Sequence, residues 1–346
     1  MAPKRYRLAT RAARAITEPL LLWALLAAAA GVALPAVGRG GAGLVPWLLG
    51  AMVFATGSTV PPARLAAALR RPGRLLAALL VQFGPLSLLA YGLSRLPFGT
   101  PLSIGVLCIG VAPSEISSGV MTLLAGGDAA LGTALMAASL LCATLITPGL
   151  LASYAGGTVF VDRAALAQEL ALSVAAPLAA ALLLRWTLAG WLVRRQAEAS
   201  LALFGEPAPL PQLPVPLSGS RVAAALDLLD ILAPALAALA LLALLFVVAG
   251  AARPVLLSSD IFVAVALCLL LNLAGYAAGL ALFRLLREPE LTVRAAVFGV
   301  GMREFGVAAT LATAVLPAAG AVTAVYGILV LVTAPLLVRW YRARPS

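Results

Sequence analysis

The chain contains no histidine, so imidazole is missing from any proton-transfer group, catalytic triad or metal site that it could form. Its three cysteines, Cys108, Cys142 and Cys268, all lie inside apolar runs and lack CxxC spacing, which favours packing roles over redox or metal chemistry. Charged residues make up only 11% of the sequence, against about 25% in an average soluble domain. These shortages argue against a soluble fold and against most kinds of enzyme.

Apolar residues fill the rest of the sequence, with 63% hydrophobic residues and a mean hydropathy of +1.06. A helix that crosses the apolar core of a bilayer needs about 20 such residues. The sequence therefore predicts an all-α membrane protein with ten transmembrane helices, at residues 19–38, 43–60, 75–95, 101–125, 129–152, 166–185, 226–250, 259–284, 291–315 and 319–340. The first run is longer than the roughly 7–15 apolar residues of a signal peptide, so we expect it to remain as a helix.

The basic residues alternate between the two sides of this predicted topology. Nineteen arginines and lysines fall on the side of the N-terminus and four on the opposite side, while Arg303 falls inside a span. The positive-inside rule then predicts a multi-pass protein with both termini in the cytoplasm. The rule also explains the net charge of +11 without a nucleic-acid partner. A strong bias to alanine, leucine and arginine, with Lys4 as the single lysine, resembles the usage of a GC-rich bacterial genome, so the bacterial inner membrane is the expected location.

The proline-rich stretch at residues 195–221 divides the chain and is predicted to be an extended cytoplasmic tether. Five spans lie in each half, and an odd number places the second half upside down relative to the first, as in the inverted repeats of secondary transporters. The predicted units are a basic N-terminus at 1–17, a first repeat at 18–153, and a second repeat formed by 165–194 and 222–340.

Polar and helix-breaking residues interrupt the fourth and ninth spans, at "APSEISSG" and "FGVGMREFG". Broken helices at equivalent places in two repeats predict a binding site near the middle of the membrane, where the two helices cross. The residues expected to form the crossing backbone are Pro113, Gly119, Gly299, Gly301 and Gly306.

Glu115 and Glu304 are the main candidates for ion binding, because ionisable groups inside a membrane are costly and are usually retained for function. A purely structural carboxyl pair is the alternative. Two desolvated carboxylates close together would favour uptake of a proton. Arg303 is expected to pair with one of these glutamates, or with an anionic substrate.

Four further residues complete the candidate substrate- and ion-binding set. Gln82 lies in the middle of the third span, where its amide forms either a helix–helix hydrogen bond or a ligand contact. Ser117, Ser118 and Met302 flank the two breaks. The serine hydroxyls could instead bond to backbone groups that the breaks set free.

Several stretches resemble the bile acid:sodium symporter family, within the superfamily that also contains arsenite and riboflavin transporters. They are residues 48–93, "APSEISSGVMTLLAGGDAAL", "GVGMREFGVAATLATAVLP", and "LLLNLAGYAAGLALFRLL" at 269–286. The resemblance implies ten spans arranged as a panel domain and a core domain, with the two broken helices crossing in the core. It also implies uptake of an organic anion together with sodium.

The same resemblance implies that part of the sodium site has changed. Gln82 and Ser118 match a glutamine and a serine of the family, but Gly119 replaces an asparagine. Gly299 stands in place of the sodium-binding glutamate, and Arg303 in place of a glutamine. A threonine ligand is replaced by Met136.

The hypothesis that follows is a site rebuilt around Glu115, Glu304 and Arg303, with the arginine roughly where a sodium ion would lie and neutralising a bound anion. A proton on either glutamate would then replace sodium as the coupling ion. A sodium ion near Gln82, Ser118 and Glu304 stays open as the alternative, and no other cofactor is expected.

Three other functions stay open beside a secondary transporter of a small organic anion. An efflux carrier or antiporter of the same superfamily would share every feature above. A passive channel would more commonly surround a pore with repeated subunits than carry an inverted repeat. A membrane enzyme would need a nucleophile–base pair or a metal cluster, for which the sequence offers only carboxylates. The oligomeric state is left open.

Overall fold

The computed structural model describes residues 4–60, 65–66, 70, 72–204 and 221–343, and almost all of them are helical. In the first half the helices are α1 Lys4–Thr17, α2 Leu20–Ala33, α3 Pro35–Gly40, α4 Val45–Gly57, α5 Pro72–Phe83, α6 Pro85–Ser94, α7 Thr100–Gly110, α8 Ser118–Leu124 and α9 Ala129–Ala155. In the second half they are α10 Arg163–Leu170, α11 Ala176–Phe204, α12 Arg221–Ala251, α13 Arg253–Leu256, α14 Asp260–Leu285, α15 Glu290–Gly301, α16 Phe305–Val315 and α17 Gly320–Arg342.

Six apolar segments of the described chain are helical over enough residues to cross a membrane: Pro72–Ser94, Ala129–Ala155, Arg163–Trp191, Ala225–Ala251, Asp260–Leu285 and Pro317–Arg342. A helix satisfies its own peptide groups, which lipid cannot do. The chain is therefore an all-α membrane protein, as its composition predicts. Each of the six coincides with a predicted span.

The other four predicted spans are shorter or interrupted helices. Residues 19–38 are divided between α2 and α3, and α2 is bent by 64° from the end of α1. Residues 43–60 form α4 after one 3₁₀ turn. The fourth and ninth spans are each divided in two, as the sequence predicts. The total of ten spans stays a prediction.

The predicted tether is shorter at its N-terminal side than the sequence indicates. Helix α11 continues to Phe204, and α12 begins at Arg221. Residues 195–204 contain neither glycine nor proline and consist mostly of good helix formers. No helix-breaking residue therefore occurs before Gly205. The remaining tether, 205–220, lies outside the described residues.

The helices pack in two groups. Helix α12 lies against α2, α3 and α4, and α11 also packs on α4. The second group, here called the crossing group, contains α5 to α9 and α14 to α17, with α14 against α15 and α17 against both α7 and α14. Helix α4 contacts α16, so it is one place where the groups meet.

Glycine allows the close approach of α2 and α3 to α12. A Cβ atom on Gly31 would lie 2.2 Å from the carbonyl oxygen of Phe246, and one on Gly250 would lie 2.8 Å from the Cα of Gly38. Small residues let membrane helices pack backbone to backbone, where dispersion contacts replace the hydrophobic effect.

We expect Gly31→Ala to destabilise the protein by about 1–3 kcal/mol, because the methyl group would force α2 away from α12. Gly149→Ala is the matched control, since Gly149 also lies inside a helix but has no heavy atom within 4 Å of the added Cβ. Thermal melting of the purified proteins in lipid nanodiscs checks the pair. Equal melting temperatures would contradict the packing.

Candidate functional site

Two helix breaks meet inside the crossing group. Between α7 and α8 the chain contains Pro113, which cannot donate a backbone hydrogen bond and disfavours helix in the residue before it. Between α15 and α16, Met302 and Glu304 adopt extended backbone conformations. Both interruptions that the sequence predicts are therefore present.

The two breaks pair with each other as an isolated antiparallel β-bridge between Ser114 and Arg303. Its backbone bonds run in opposite directions: Glu115 N donates to Met302 O at 3.0 Å, and Glu304 N donates to Pro113 O at 2.8 Å. Each break thus supplies the hydrogen-bond partners that the other has lost, which is required where lipid offers none.

The carbonyl groups that follow α7 are all paired, each with a different part of the protein. Val111 O accepts from Thr147 Oγ1 at 2.7 Å, Ala112 O from Arg303 Nη1 at 2.9 Å, and Pro113 O from the Glu304 amide. An unpaired buried carbonyl costs about 1–3 kcal/mol. Helix α9 and the second break therefore hold the first break in place through these bonds.

The second break is held by the first break and by α14 and α17. Gly299 O accepts from Ser114 Oγ, and Gly301 O accepts from both Tyr326 OH and Asn272 Nδ2 at 3.4 Å. Arg303 N donates to Tyr326 OH at 3.0 Å. A tyrosine hydroxyl on α17 thus satisfies two backbone groups of the break at once.

The bridge separates the charged side chains onto two faces. In an extended segment, neighbouring side chains point to opposite sides. Arg303 and Ser114 therefore project to one side, and Glu115 and Glu304 project to the other. We call these the arginine face and the acidic face.

On the acidic face the two carboxyl groups cap each other's helices. Glu304 Oε2 accepts from Ile116 N at 2.8 Å, and its Oε1 accepts from Gly306 N at 3.0 Å. Glu115 Oε2 accepts from Phe305 N at 3.3 Å. Each glutamate thus binds the amide of a residue next to the other glutamate, which places the two carboxyl groups side by side. The prediction that Glu115 and Glu304 lie together is confirmed.

The closeness of the two carboxyl groups has a chemical consequence. A carboxylate only accepts hydrogen bonds, so two adjacent carboxyl groups bond to each other only when one of them carries a proton. Glu304 is fully buried and Glu115 is partly buried. The acidic face therefore offers two carboxyl groups that can share one proton.

On the arginine face the guanidinium of Arg303 is surrounded by oxygen atoms. Nη1 donates to Ala112 O and Nη2 donates to Gln82 O, both at 2.9 Å, and the side chain is only 4% exposed. Gln82 lies near the end of α5, where Pro85 interrupts the helix after Gly84. The guanidinium thus lies where the carbonyl ends of two helical segments converge.

The expected ion pair between Arg303 and a glutamate is absent. Within the described residues no carboxylate oxygen of Glu115 or Glu304 lies within salt-bridge distance of the guanidinium. The reason is the extended backbone of the bridge, which directs the side chains of Arg303 and Glu304 to opposite sides although they are adjacent in sequence. The predicted ion pair is therefore wrong, and the alternative, contact of Arg303 with an anionic substrate, stays a prediction.

Gln82 belongs to the arginine face. Its amide is oriented here to satisfy its neighbours, with the oxygen 3.2 Å from Arg303 Nη1 and 2.6 Å from Ser114 N, and the nitrogen 3.0 Å from Ser139 Oγ. The amide therefore joins α5 to the first break and to α9.

The remaining candidates differ in their surroundings. The Ser118 hydroxyl is buried and has no hydrogen-bond partner, while Ser117 starts α8 without a side-chain capping bond. The Met302 side chain packs in the apolar core, and its carbonyl serves the bridge. Among these three, Ser118 alone presents an unused buried polar atom.

Two of the predicted crossing glycines permit a close approach of backbone. A Cβ on Gly301 would lie 2.7 Å from the backbone nitrogen of Tyr276, and one on Gly119 would lie 2.8 Å from Thr133 Oγ1. Larger residues at these positions would push the broken helices away from α14 and α9.

A cavity of about 70 Å³ lies beside α8, on the side of the crossing toward α4. Its polar lining consists of three threonine side chains, and its remaining wall comes from the first break and α8 together with part of α9. The lining residues are Thr56, Thr59, Val60, Ile116, Gly119, Val120, Leu123, Thr133 and Met136. Through Ile116, whose amide donates to Glu304, the cavity borders the acidic face.

Sequence reasoning missed four polar residues that hold the breaks: Ser139, Thr147, Asn272 and Tyr326. All four are fully buried inside apolar helices. A polar side chain within a long apolar run is the signal that could have found them, because such a side chain needs a partner. Threonine and serine hydroxyls also donate to carbonyl groups of their own helix, however. The signal alone therefore does not distinguish Thr147, which bonds to the first break, from Thr144, which bonds within α9.

Comparison with known proteins gives one family. The family model described as the Sodium Bile acid symporter family matches residues 46–258. This range contains the first break, Gln82 and the helices α4 to α12.

A curated relative is the protein from Bacillus subtilis (strain 168) named "Uncharacterized sodium-dependent transporter YocS". It is 27% identical over 165 residues, which are 47% of this chain and 51% of the relative. The matched region thus spans about half the length of that relative.

We expect Thr147→Val to destabilise the protein by about 1–3 kcal/mol, because Val111 O would lose its donor inside the membrane. Thr144→Val is the matched control: it lies on the same helix and is also buried, but its hydroxyl donates to Leu140 O within α9. Thermal melting of both variants checks this, and a control as unstable as Thr147→Val would contradict the role of the hydroxyl.

Proposed function

Because the chain belongs to the Sodium Bile acid symporter family, a family of transporters and not of enzymes, we propose that it is a secondary active transporter that carries a small organic anion together with a proton. The observation that carries the proposal is the close pair of Glu115 and Glu304 at the crossing of two broken helices. The proposed architecture is ten spans in two inverted repeats, in a bacterial inner membrane with both termini in the cytoplasm.

The symmetry of the bridge supports the inverted repeats. Residues 113–116 of the first break and 302–305 of the second make the same contacts with each other in both directions. The backbone bond from Glu115 to Met302 corresponds to that from Glu304 to Pro113. The side-chain bond from Phe305 N to Glu115 corresponds to that from Ile116 N to Glu304. Two homologous segments related by a two-fold axis would make contacts of this kind.

The charges of the crossing support a coupled proton. With one shared proton, the carboxyl pair carries one negative charge, and Arg303 carries one positive charge on the other face. The crossing is then neutral. A second proton would leave one positive charge, and a bound monovalent anion would cancel it. Proton and anion would therefore favour each other's binding, which is the thermodynamic requirement for symport.

The cavity beside α8 supports a place for the substrate. It borders the acidic face, and the hydroxyl groups of Thr56, Thr59 and Thr133 offer hydrogen bonds to a polar group. At about 70 Å³ it is smaller than the roughly 300–1,000 Å³ of a typical ligand pocket, so in this state it would hold only the anionic group of a substrate. The family description names a bile acid, which is an organic anion. A small organic anion is the substrate class proposed here.

The packing of α4 supports a carrier with alternating access over a passive channel. Leu49 and Met52 press against Gly306, where an added Cβ would lie 2.8 Å from Leu49 Cδ1 and 2.9 Å from Met52 Cε. Thr56 near the end of α4, and Thr59 in the turn that follows, border the cavity instead. Helix α4 thus closes the acidic face at Gly306 and leaves it open at the cavity. The open part lies toward the end of α8 that the distribution of basic residues predicts to be cytoplasmic.

We expect uptake into proteoliposomes to follow a proton gradient, because the carboxyl pair binds protons from the side on which the substrate enters. A melting screen over bile acids and small carboxylates first selects an anion that stabilises the protein. Uptake of that labelled anion is then measured with an inward proton gradient and with an inward sodium gradient, each imposed alone. Uptake driven by sodium and indifferent to pH would overturn the proposal.

We expect Glu115→Gln and Glu304→Gln each to lower proton-driven uptake to the level of empty liposomes, because an amide cannot bind the transported proton. Glu169→Gln is the control, since Glu169 is a half-buried carboxyl group of the predicted sixth span that lies outside the crossing. All three proteins are compared for uptake and for melting temperature. Parent-like proton-driven uptake by both site variants would show that the pair does not carry the proton.

A further inference from the structure

The environment of Arg303 is that of a bound cation. Its guanidinium is buried, and oxygen atoms surround it: Ala112 O and Gln82 O at 2.9 Å and the amide oxygen of Gln82 at 3.2 Å. Within the described residues no carboxylate balances its charge. Backbone carbonyls at the ends of broken membrane helices are the ligands by which transporters hold alkali cations.

We propose that Arg303 is a built-in cation that fills a cation site at the crossing, and that the site accepts a free monovalent cation only when the arginine is removed. The guanidinium is covalently attached and cannot leave with the substrate. It therefore supplies a fixed charge without drawing on a sodium gradient. The inference rests on the proposed function only for this last consequence, sodium-independent transport.

Apart from the presence of Arg303, a sodium ion fits this chain poorly because its expected ligands lie apart. Gln82 lies on the arginine face and Glu304 on the acidic face, so the three residues Gln82, Ser118 and Glu304 are not gathered around one point. Both carboxylate oxygens of Glu304 already accept backbone amides. The hydroxyl of Ser118 is the one unused oxygen among these groups.

Packing also closes two positions that would have to carry ligands. A Cβ on Gly299, where the resemblance places a sodium-binding glutamate, would lie 2.9 Å from Leu135 Cδ1 and 3.2 Å from Leu135 Cβ. A Cβ on Gly119, where it places an asparagine, would lie 2.8 Å from Thr133 Oγ1 and 3.2 Å from Thr133 Cα. Leu135 and Thr133 therefore occupy the space that those side chains would need.

Removal of the guanidinium would leave its oxygen ligands buried and unpaired. Ala112 O and Gln82 O point into the vacated space, and lipid cannot satisfy them. A small hydrated cation or a free guanidinium ion can satisfy them, whereas choline has no N–H donor and is too large. A ligand that binds only the folded state raises its stability in proportion to the logarithm of its concentration.

Thermal melting in nanodiscs tests this with sodium, choline and millimolar guanidinium chloride at equal ionic strength. We expect the parent protein to melt at the same temperature in all three salts. Arg303→Ala should melt several degrees lower than the parent in choline and should regain part of that loss, saturably, in sodium or guanidinium. Arg303→Lys should be insensitive to the salt, because an amine still fills the site.

Arg294→Ala is the matched control. Arg294 is also buried and also donates to a backbone carbonyl, Ala125 O at 2.9 Å, but it has further partners in Glu290, whose side chain is 40% exposed, and in the ring of Tyr341. The variant should melt lower by the same amount in every salt.

Selective stabilisation of the parent by sodium would overturn the inference, because a free cation site would then exist beside Arg303. Identical melting of Arg303→Ala in all salts would overturn it as well. If Arg303→Ala does not fold, the parent and Arg303→Lys decide by their response to sodium. None of these measurements involves transport, so a failure of proton coupling and a failure of the built-in cation are distinguishable.

Discussion

The pairing of two interrupted helices is the constraint on which the rest of the structure depends. Inside a membrane each peptide group needs a partner within the protein, so a single broken helix would leave several groups unpaired. Here Ser114 and Arg303 form an antiparallel bridge, and each break satisfies the other. Thr147 and Tyr326 supply the bonds that remain. The breaks therefore stabilise each other and cannot be understood one at a time.

The extended backbone of the bridge also decides the electrostatics of the site. Adjacent residues of opposite charge, Arg303 and Glu304, project to opposite faces and do not neutralise each other directly. Glu304 instead meets Glu115, and both are stabilised by amides at the starts of helices. Two carboxyl groups can thus share and exchange a proton while a fixed positive charge lies behind them. This separation is the physical basis of the proposed proton coupling.

Membership of the family explains the crossing, and the replaced residues explain how this chain differs. The space that side chains at positions 119 and 299 would need is occupied by Thr133 and Leu135. The oxygen ligands around Gln82 are occupied by Arg303. In the proposed view, the attached charge of Arg303 takes the place of a free cation, and a proton on the carboxyl pair serves as the coupling ion.

The sequence by itself determined the membrane class, the places of both breaks and the meeting of Glu115 with Glu304. These follow from local signals: apolar length, helix-breaking residues, and carboxylates that need a polar surrounding wherever they lie. Only the tertiary structure decided the direction of Arg303, the role of Ser139 and Thr147, and the end of α11 at Phe204. The direction of a side chain in a two-residue bridge depends on the strand register between segments nearly two hundred residues apart. Composition and helical periodicity do not determine that register, because it is set only when the two breaks pair in the folded protein.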